Sequence, residues 1–273
     1  MNSKYIYQIY YDDATQLQLA PGFIPLDNTI NLRPDWYEFW AILNFLNANE
    51  LEEGAWYGFL SPKFCVKTGC SADFILQALD SYVDGQSVAL FSSGWDQIAY
   101  FLNPFEQGEF WHPGITGLSQ QFIDDFGLSV NLGDLVTDSM TSVFSNYIIA
   151  KKGYWLAWKK IAQAFFMYCE NSPEFGGHTT AYGSIYRQAP MKVFIQERFA
   201  SLILSTGSYK VACHDQSLSG PIFTRLFADQ GNTRQLLQAC DLMKINYRRM
   251  RDRDYLRMYW KTRREIPFSN LKF

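Results

Sequence analysis

Apolar positions recur along the chain in short bursts separated by turn-forming residues, and the period of the bursts changes. Residues 5–11 are β-branched or aromatic everywhere except at Gln8, which predicts a strand buried on both faces. Residues 55–60, 87–92 and 143–150 are further short apolar runs and predict three more strands, with a last short one at 209–213. Between these the period lengthens to that of a helix. Trp36, Phe39, Trp40, Leu43 and Leu46 fall on one face, as do Trp155, Trp158, Ile161 and Phe165 further on. Helices are predicted over 36–46, 72–82 (with Ser71 as cap), 95–102, 118–126, 154–168, 191–204 and 231–265. Residues 21–34 hold Pro21, Pro25 and Pro34 among several Asn and Asp and predict a long loop with turns, while Asn103-Pro104 predicts a helix break. Strand–helix alternation over 1–150, followed by a more helical second half, predicts an α/β class. The expected architecture is a single domain over 1–273 with a mostly parallel central sheet flanked by helices and a helical C-terminal region.

Composition sharpens this picture only in places. The 273 residues include eight Trp and seventeen Tyr, a share of aromatics that suits carbohydrate and nucleotide sites but also ordinary cores. No apolar run reaches about 18 residues, and the first residues lack a signal-peptide pattern, so a cytoplasmic protein is expected. The five cysteines are odd in number, scattered and unlike zinc spacings, and read as reduced thiols. Net charge is −3 but uneven: residues 231–273 carry a balance of +7, which leaves −10 on the rest. The region 231–265 combines the apolar stripe Leu236, Leu237, Cys240, Met243, Tyr247 and Met250 with Arg248, Arg249, Arg251, Arg253, Arg257, Arg263 and Arg264. Its partner is a phosphate-bearing substrate, an anionic membrane surface at the inner face, or the acidic remainder of the chain itself. The acidic remainder argues against nucleic acid.

Candidate chemistry follows from where polar residues interrupt apolar runs. Gln8 inside the first strand needs partners for its amide, from a ligand or a neighbouring loop. Asp96 follows Ser92-Ser93-Gly94-Trp95 at the end of the third strand. Ligands bind at such positions in open α/β sheets, and an acid there also caps the next helix; both readings stand. Lys63 and Lys67 follow the second strand without a Gly-rich cradle, and read as solvated lysines before phosphate contacts. Ser145 and Asn146 within an apolar run read equally as a site or a bulge. Asp138, in the polar approach to that run, reads as a turn or helix cap or as a general base. Glu197, within a strongly apolar helix, is costly to bury unpaired; it pairs with Lys192 or Arg198, or faces a cleft. His112, His178 and His214 lie beside no nucleophile signature, and G-x-G-x-x-G and zinc spacings do not occur.

The stretches Tyr7-Gln8-Ile9-Tyr10-Tyr11, Gly22-Phe23-Ile24-Pro25-Leu26-Asp27, Arg33-Pro34-Asp35-Trp36-Tyr37-Glu38-Phe39-Trp40, Phe144-Ser145-Asn146-Tyr147 and Met191-Lys192-Val193-Phe194 resemble the majastridin-like group of bacterial glycosyltransferases. The resemblance covers most of the chain and identifies a family better than a reaction. It implies a GT-A-like fold, a nucleoside-diphosphate sugar donor (UDP-sugars among them), and transfer to a cell-surface glycan or lipid-linked acceptor in polysaccharide biosynthesis. On that reading Gln8, Tyr10 and Lys63 border the nucleotide, and Asp96 faces the diphosphate or a divalent ion, Mn²⁺ or Mg²⁺. Asp138 and Glu197 are the candidate bases. Metal-using members carry Asp-x-Asp after a strand. Here the only such triplet, Asp252-Arg253-Asp254, lies in the basic C-terminal helix, and Asp96 stands alone at the corresponding place. The rival expectation is a non-catalytic nucleotide- or glycan-binding protein on the same scaffold.

Overall fold

The computed structural model describes residues 3–82, 85–183 and 186–269. In chain order, β1 (Lys4–Tyr10) leads through the one-turn helix α1 (Asp13–Gln16) to β2 (Ile24–Asp27). Then come α2 (Glu38–Ala48), β3 (Trp56–Leu60), α3 (Phe64–Thr68), α4 (Ala72–Ser81) and β4 (Val88–Leu90). Helices α5 (Trp95–Tyr100), α6 (Pro104–Trp111) and α7 (Ile115–Asp125) follow. β5 (Ile148–Lys151) runs straight into the long α8 (Lys152–Asn171) and the short α9 (Pro173–Gly176). After the strands β6 (Thr179–Ala181) and β7 (Gln188–Pro190) come α10 (Met191–Gln196), α11 (Phe199–Thr206) and β8 (Val211–Cys213). The last helices are α12 (Thr233–Met250) and α13 (Arg253–Glu265).

The observed elements depart from the predicted ones in several places. Residues 24–27, inside the expected loop, form β2, pairing parallel to β1 even through Pro25, which an edge strand tolerates. Asn103-Pro104 marks the expected break after α5 and also starts α6, which was not expected: the Asn103 side chain accepts from the backbone N–H of Phe105 and Glu106, and Pro104 takes the first helical position. The run 143–150 is strand only from Ile148, because Ser145 and Asn146 adopt left-handed backbone, φ 56° and 55°. The expected helix over 191–204 is interrupted at Glu197-Arg198, and that over 231–265 at Arg251-Asp252.

The chain packs as two compact units that interleave in sequence. The first takes the chain up to Ser93 with Val143–His178 and Lys192–His214; the second takes Gly94–Ser142, Thr179–Met191 and the chain from Asp215. The first unit is α/β. Its six-stranded sheet has the order β2-β1-β3-β5-β4-β8, all parallel except β5, which runs antiparallel between β3 and β4. Alternation along the strands divides the core. Ile6, Trp56, Leu60, Ala89 and Ile149 pack with Ile75 and Leu79 of α4 on one face. On the other, Phe59 meets Trp155 of α8 edge-on, with ring centroids 4.8 Å apart, and the Trp155 indole donates to the Tyr57 carbonyl at 3.0 Å. Tyr7 packs on Phe45 of α2 and Phe59.

The second unit is mostly helical, with β6 and β7 as an antiparallel pair. Its core joins Trp95, Ala99 and Tyr100 of α5 to Leu237 and Cys240 of α12 and Tyr259 of α13. Lys244 of α12 is fully buried and donates to the carbonyls of Ile98 and Phe101, capping the C-terminal end of α5. Burial draws its ammonium down to about 8, while Asp241 and Asp138 favour the charge. Among the described residues no helix is long and apolar enough to cross a membrane. Cys65, Cys70, Cys169, Cys213 and Cys240 are free thiols.

Gly58 in β3 has no room for a side chain. A Cβ there would lie 2.8 Å from Ile149 Cγ1 and 3.4 Å from Ile6 Cγ2. Gly58→Ala is therefore expected to lower stability by roughly 1–3 kcal/mol. Urea unfolding checks this; an unchanged midpoint would mean that the β3–β5 pair can open without cost.

Candidate active site

The predicted site residues divide between the units. Gln8, Tyr10, Lys63 and Glu197 belong to the first, Asp96 and Asp138 to the second. Gln8 is 1% exposed and its amide is fully used. Its Oε1 accepts from Ala20 N at 2.7 Å, and its Nε2 donates to the carbonyls of Ser61 and Pro62 at 3.3 and 3.2 Å. It fixes the loops that leave β1 and β3, which is the neighbouring-loop role. Tyr10 ends β1 in register with Asp27 of β2. Lys63 stands exposed at the start of α3.

Asp96 and Asp138 are structural carboxylates. Asp96 is 1% exposed. One of its oxygens accepts from Gln97 N at 2.9 Å and the other from Phe223 N at 2.6 Å, tying the start of α5 to the 221–223 segment. Burial raises its carboxyl, and the two backbone donors oppose that. Such a group does not fit a divalent ion, because both oxygens are turned inward to backbone N–H. Among the described residues no three His, Cys, Asp or Glu side chains gather as ligands. Asp138 accepts from Met140 N at 3.0 Å, from the Thr141 hydroxyl at 2.9 Å, and from one nitrogen of Arg248 at 3.0 Å to each oxygen. It locks the turn at 138–142 to α12. With both carboxylate oxygens taken up by Arg248 and two further donors, Asp138 is committed to holding this turn, so the cap role expected for it is the one its contacts fill.

Glu197 is the exception. It occupies the two-residue break between α10 and α11, partly exposed, with no hydrogen bond or ion pair to its carboxylate among the described residues. The partners expected for it are committed elsewhere. Lys192 pairs with Asp35 and lies 4.3 Å over the Trp36 ring, and Arg198 donates to the Phe194 carbonyl. Burial pushes the Glu197 carboxyl up to about 7; nearby Glu38 adds to the rise, and Arg198 and Lys67 work against it.

The surroundings of Glu197 are built at the carboxyl ends of β3 and β4. Because β5 runs antiparallel, the residues just before it reach those ends. Phe91 N donates to the Tyr147 carbonyl, and the Tyr147 hydroxyl sits 2.8 Å from Ser61 Oγ. The Tyr147 hydroxyl is held well above its usual range by burial, with Glu38 and Glu197 adding to the rise. Lys67 Nζ lies 5.8 Å over the Tyr147 ring. The approach segment is clamped to α10 and α11: Val143 N donates to Ser201 Oγ at 2.8 Å, and Asn146 Nδ2 to Gln196 Oε1 at 3.1 Å. Asn146 Oδ1 is buried without a partner among the described residues. Tyr37, beside Glu38, is a further non-glycine residue at positive φ, 51°. Strained backbone, an unmet buried acceptor and a desolvated free carboxylate thus occur together.

Sequence reasoning found Glu197 through the cost of an acid in an apolar helix, and Ser145-Asn146 through two polar residues in an apolar run. It missed Glu38 and Tyr147 as members of this group, because neither interrupts a pattern. No family model, curated protein or solved structure matches the chain.

The structural role of Asp138 is checked by a double-mutant cycle. Asp138→Asn and Arg248→Gln are each expected to lower stability by roughly 1–3 kcal/mol, and the double variant by less than their sum, because either change already breaks the pair. Additive losses in denaturant unfolding would show that the two side chains do not act together.

Proposed function

We propose that the chain is a glycosyltransferase that moves a sugar from a nucleoside-diphosphate donor to a glycan or lipid-linked acceptor on a GT-A-like scaffold, with Glu197 as general base. The observation that carries this reading is Glu197 itself: a half-buried carboxylate with no hydrogen bond or ion pair among the described residues, pushed up to about 7 by burial, beside the carboxyl ends of β3 and β4. Ligands of open α/β sheets bind at that edge. A base poised near the operating pH combines a usable unprotonated fraction with useful proton affinity.

In the proposed step the acceptor hydroxyl gives its proton to the Glu197 carboxylate. The acceptor oxygen forms a bond to the anomeric carbon. The bond from that carbon to the diphosphate oxygen breaks, and the diphosphate leaves with the electron pair. Lys67, already close enough to act on Glu197 and Tyr147, supplies positive charge on the same edge. Asn146 Oδ1, an acceptor with no donor among the described residues, is suited to a sugar hydroxyl. No step passes through a metal, since Asp96 does not fit one.

The test is release of nucleoside diphosphate from a panel of nucleoside-diphosphate sugars with glycan acceptors. The rate should rise with pH through about 7 as Glu197 loses its proton. Glu197→Gln should cost on the order of 10²–10⁴ in rate and remove that limb while donor binding persists. Stability should move the other way. The folded-state carboxyl is raised from 4.5 to about 7, so its contribution is fully present below 4.5 and lost as pH rises through about 7. Glu197→Gln has no such loss, and should gain roughly 1–3 kcal/mol on the wild type between these limits. Thermal stabilisation by nucleoside diphosphates without any turnover would assign the scaffold to binding alone. Neither stabilisation nor turnover would end the proposal.

A further inference from the structure

The basic C-terminal region splits into charges turned inward and charges turned out. Lys244 is spent on the carbonyls of Ile98 and Phe101, Arg248 on Asp138, Arg263 on Glu106, and Arg234 on the carbonyls of Ser217 and Gly220. Arg249, Arg251, Arg253, Arg257, Lys261 and Arg264 are exposed. The spacing of the exposed set is ordered. On α13, residues 253, 257, 260, 261 and 264 recur at intervals that keep one helical face, which is therefore Arg, Arg, Trp, Lys, Arg. Tyr259 and Ile266 turn to the opposite side and into the core of the second unit.

Two features set this face apart from an ordinary solvated helix. Exposed apolar side chains stand within it and at its borders: Trp260 on the face itself is 38% exposed, Met258 on the flank it shares with Asp254 and Glu265 is 52% exposed, and Met250 at the end of α12 is 61% exposed. And the turn between α12 and α13 places Arg251 at φ 58° as the left-handed C-cap of α12, where glycine or asparagine is the unstrained choice. The hairpin tip thus carries a charge at a position whose backbone disfavours it. Among the described residues only one acid is paired with the stripe, Asp254 with Arg257, and that pair is exposed.

We infer that the α12–α13 hairpin is a docking surface for an anionic lipid bilayer. Charge complementarity brings the hairpin to acidic headgroups. Met250, Met258 and Trp260 then enter the headgroup–acyl boundary, where an indole is at home and long basic side chains reach back to phosphate. Nucleic acid would meet the arginines equally well but offers nothing to the methionines. The remaining −10 of the chain opposes any general attraction to anions, so contact is confined to this face.

Cosedimentation of the full chain with vesicles tests this, using phosphatidylcholine alone and phosphatidylcholine mixed with phosphatidylglycerol, at low and high salt. The expected result is pelleting with the mixed vesicles only, lost at high salt as screening shortens the reach of each charge. Each removed charge should weaken partitioning roughly fivefold, so R253Q/R257Q/K261Q/R264Q should weaken it a few hundredfold. Trp260→Ala should weaken it severalfold at unchanged charge. If the fourfold variant loses its far-UV circular dichroism, R253Q/R264Q replaces it, with an expected loss of roughly 25-fold. Wild type that fails to pellet at low salt, pellets equally with phosphatidylcholine, or is matched by a folded charge variant would overturn the inference. So would binding to a DNA duplex of arbitrary sequence with no binding to vesicles.

Discussion

The reversed strand β5 is the constraint on which the first unit depends. Two parallel sets, β2-β1-β3 and β4-β8, have no ladder between them except through Ile148–Lys151. Ile148, Ile149 and Ala150 have no exposed surface, so their backbone groups must be paired within the sheet. A parallel strand in that slot would begin at the opposite edge. Because β5 runs antiparallel, its approach arrives where β3 and β4 end. Tyr147 and Asn146 are delivered there with it, and Val143 and Asn146 are tied to α11 and α10 on the way. The left-handed pair Ser145-Asn146 is the turn by which the chain enters the sheet, and it is also the wall of the candidate site.

The carboxylates of this protein illustrate how partners decide chemistry. Asp96, Asp138 and Glu197 are the three acids that the sequence offers as candidate site residues. Asp96 meets two backbone donors and Asp138 meets a guanidinium, a hydroxyl and a backbone donor. Glu197 meets none among the described residues and is left with desolvation, which favours its protonated form. The break between α10 and α11 is what separates it from Lys192 and leaves it facing Glu38 and Lys67. A structure tuned only for stability would have neutralised it, so its retention fits a site at which protons move.

The second unit shows the same division among cations. Lys244, buried among carbonyls, replaces the missing donors at the end of α5 and fixes α12 against it. Arg263 lies over Tyr100 and Trp260 while pairing with Glu106. These interior charges consume part of the positive excess of 231–273, and the stripe on α13 is what remains for the surface. The +7 of that region is therefore neither wholly a counterweight to the acidic chain nor wholly a docking patch.

The sequence by itself determined the α/β class, the presence of the β1, β3 and β4 strands, the amphipathic faces of α2 and α8, and the Ser71 cap. Each of these is local, set by side-chain period or by one side chain reaching its own backbone. It also marked Glu197 and Ser145-Asn146, because a polar residue in an apolar run is a cost visible in one dimension. Tertiary structure alone decided the rest. The direction of β5 depends on which strands flank it, and Pro25 enters a strand because β1 offers an edge that needs no donor from it. The fates of Asp96, Asp138 and Lys244 depended on partners about 110 to 146 residues away, Arg248, Phe223 and Ile98 among them. Periodicity carries no record of such partners, since a hydrogen bond across the fold leaves each of its residues looking locally like any other polar group.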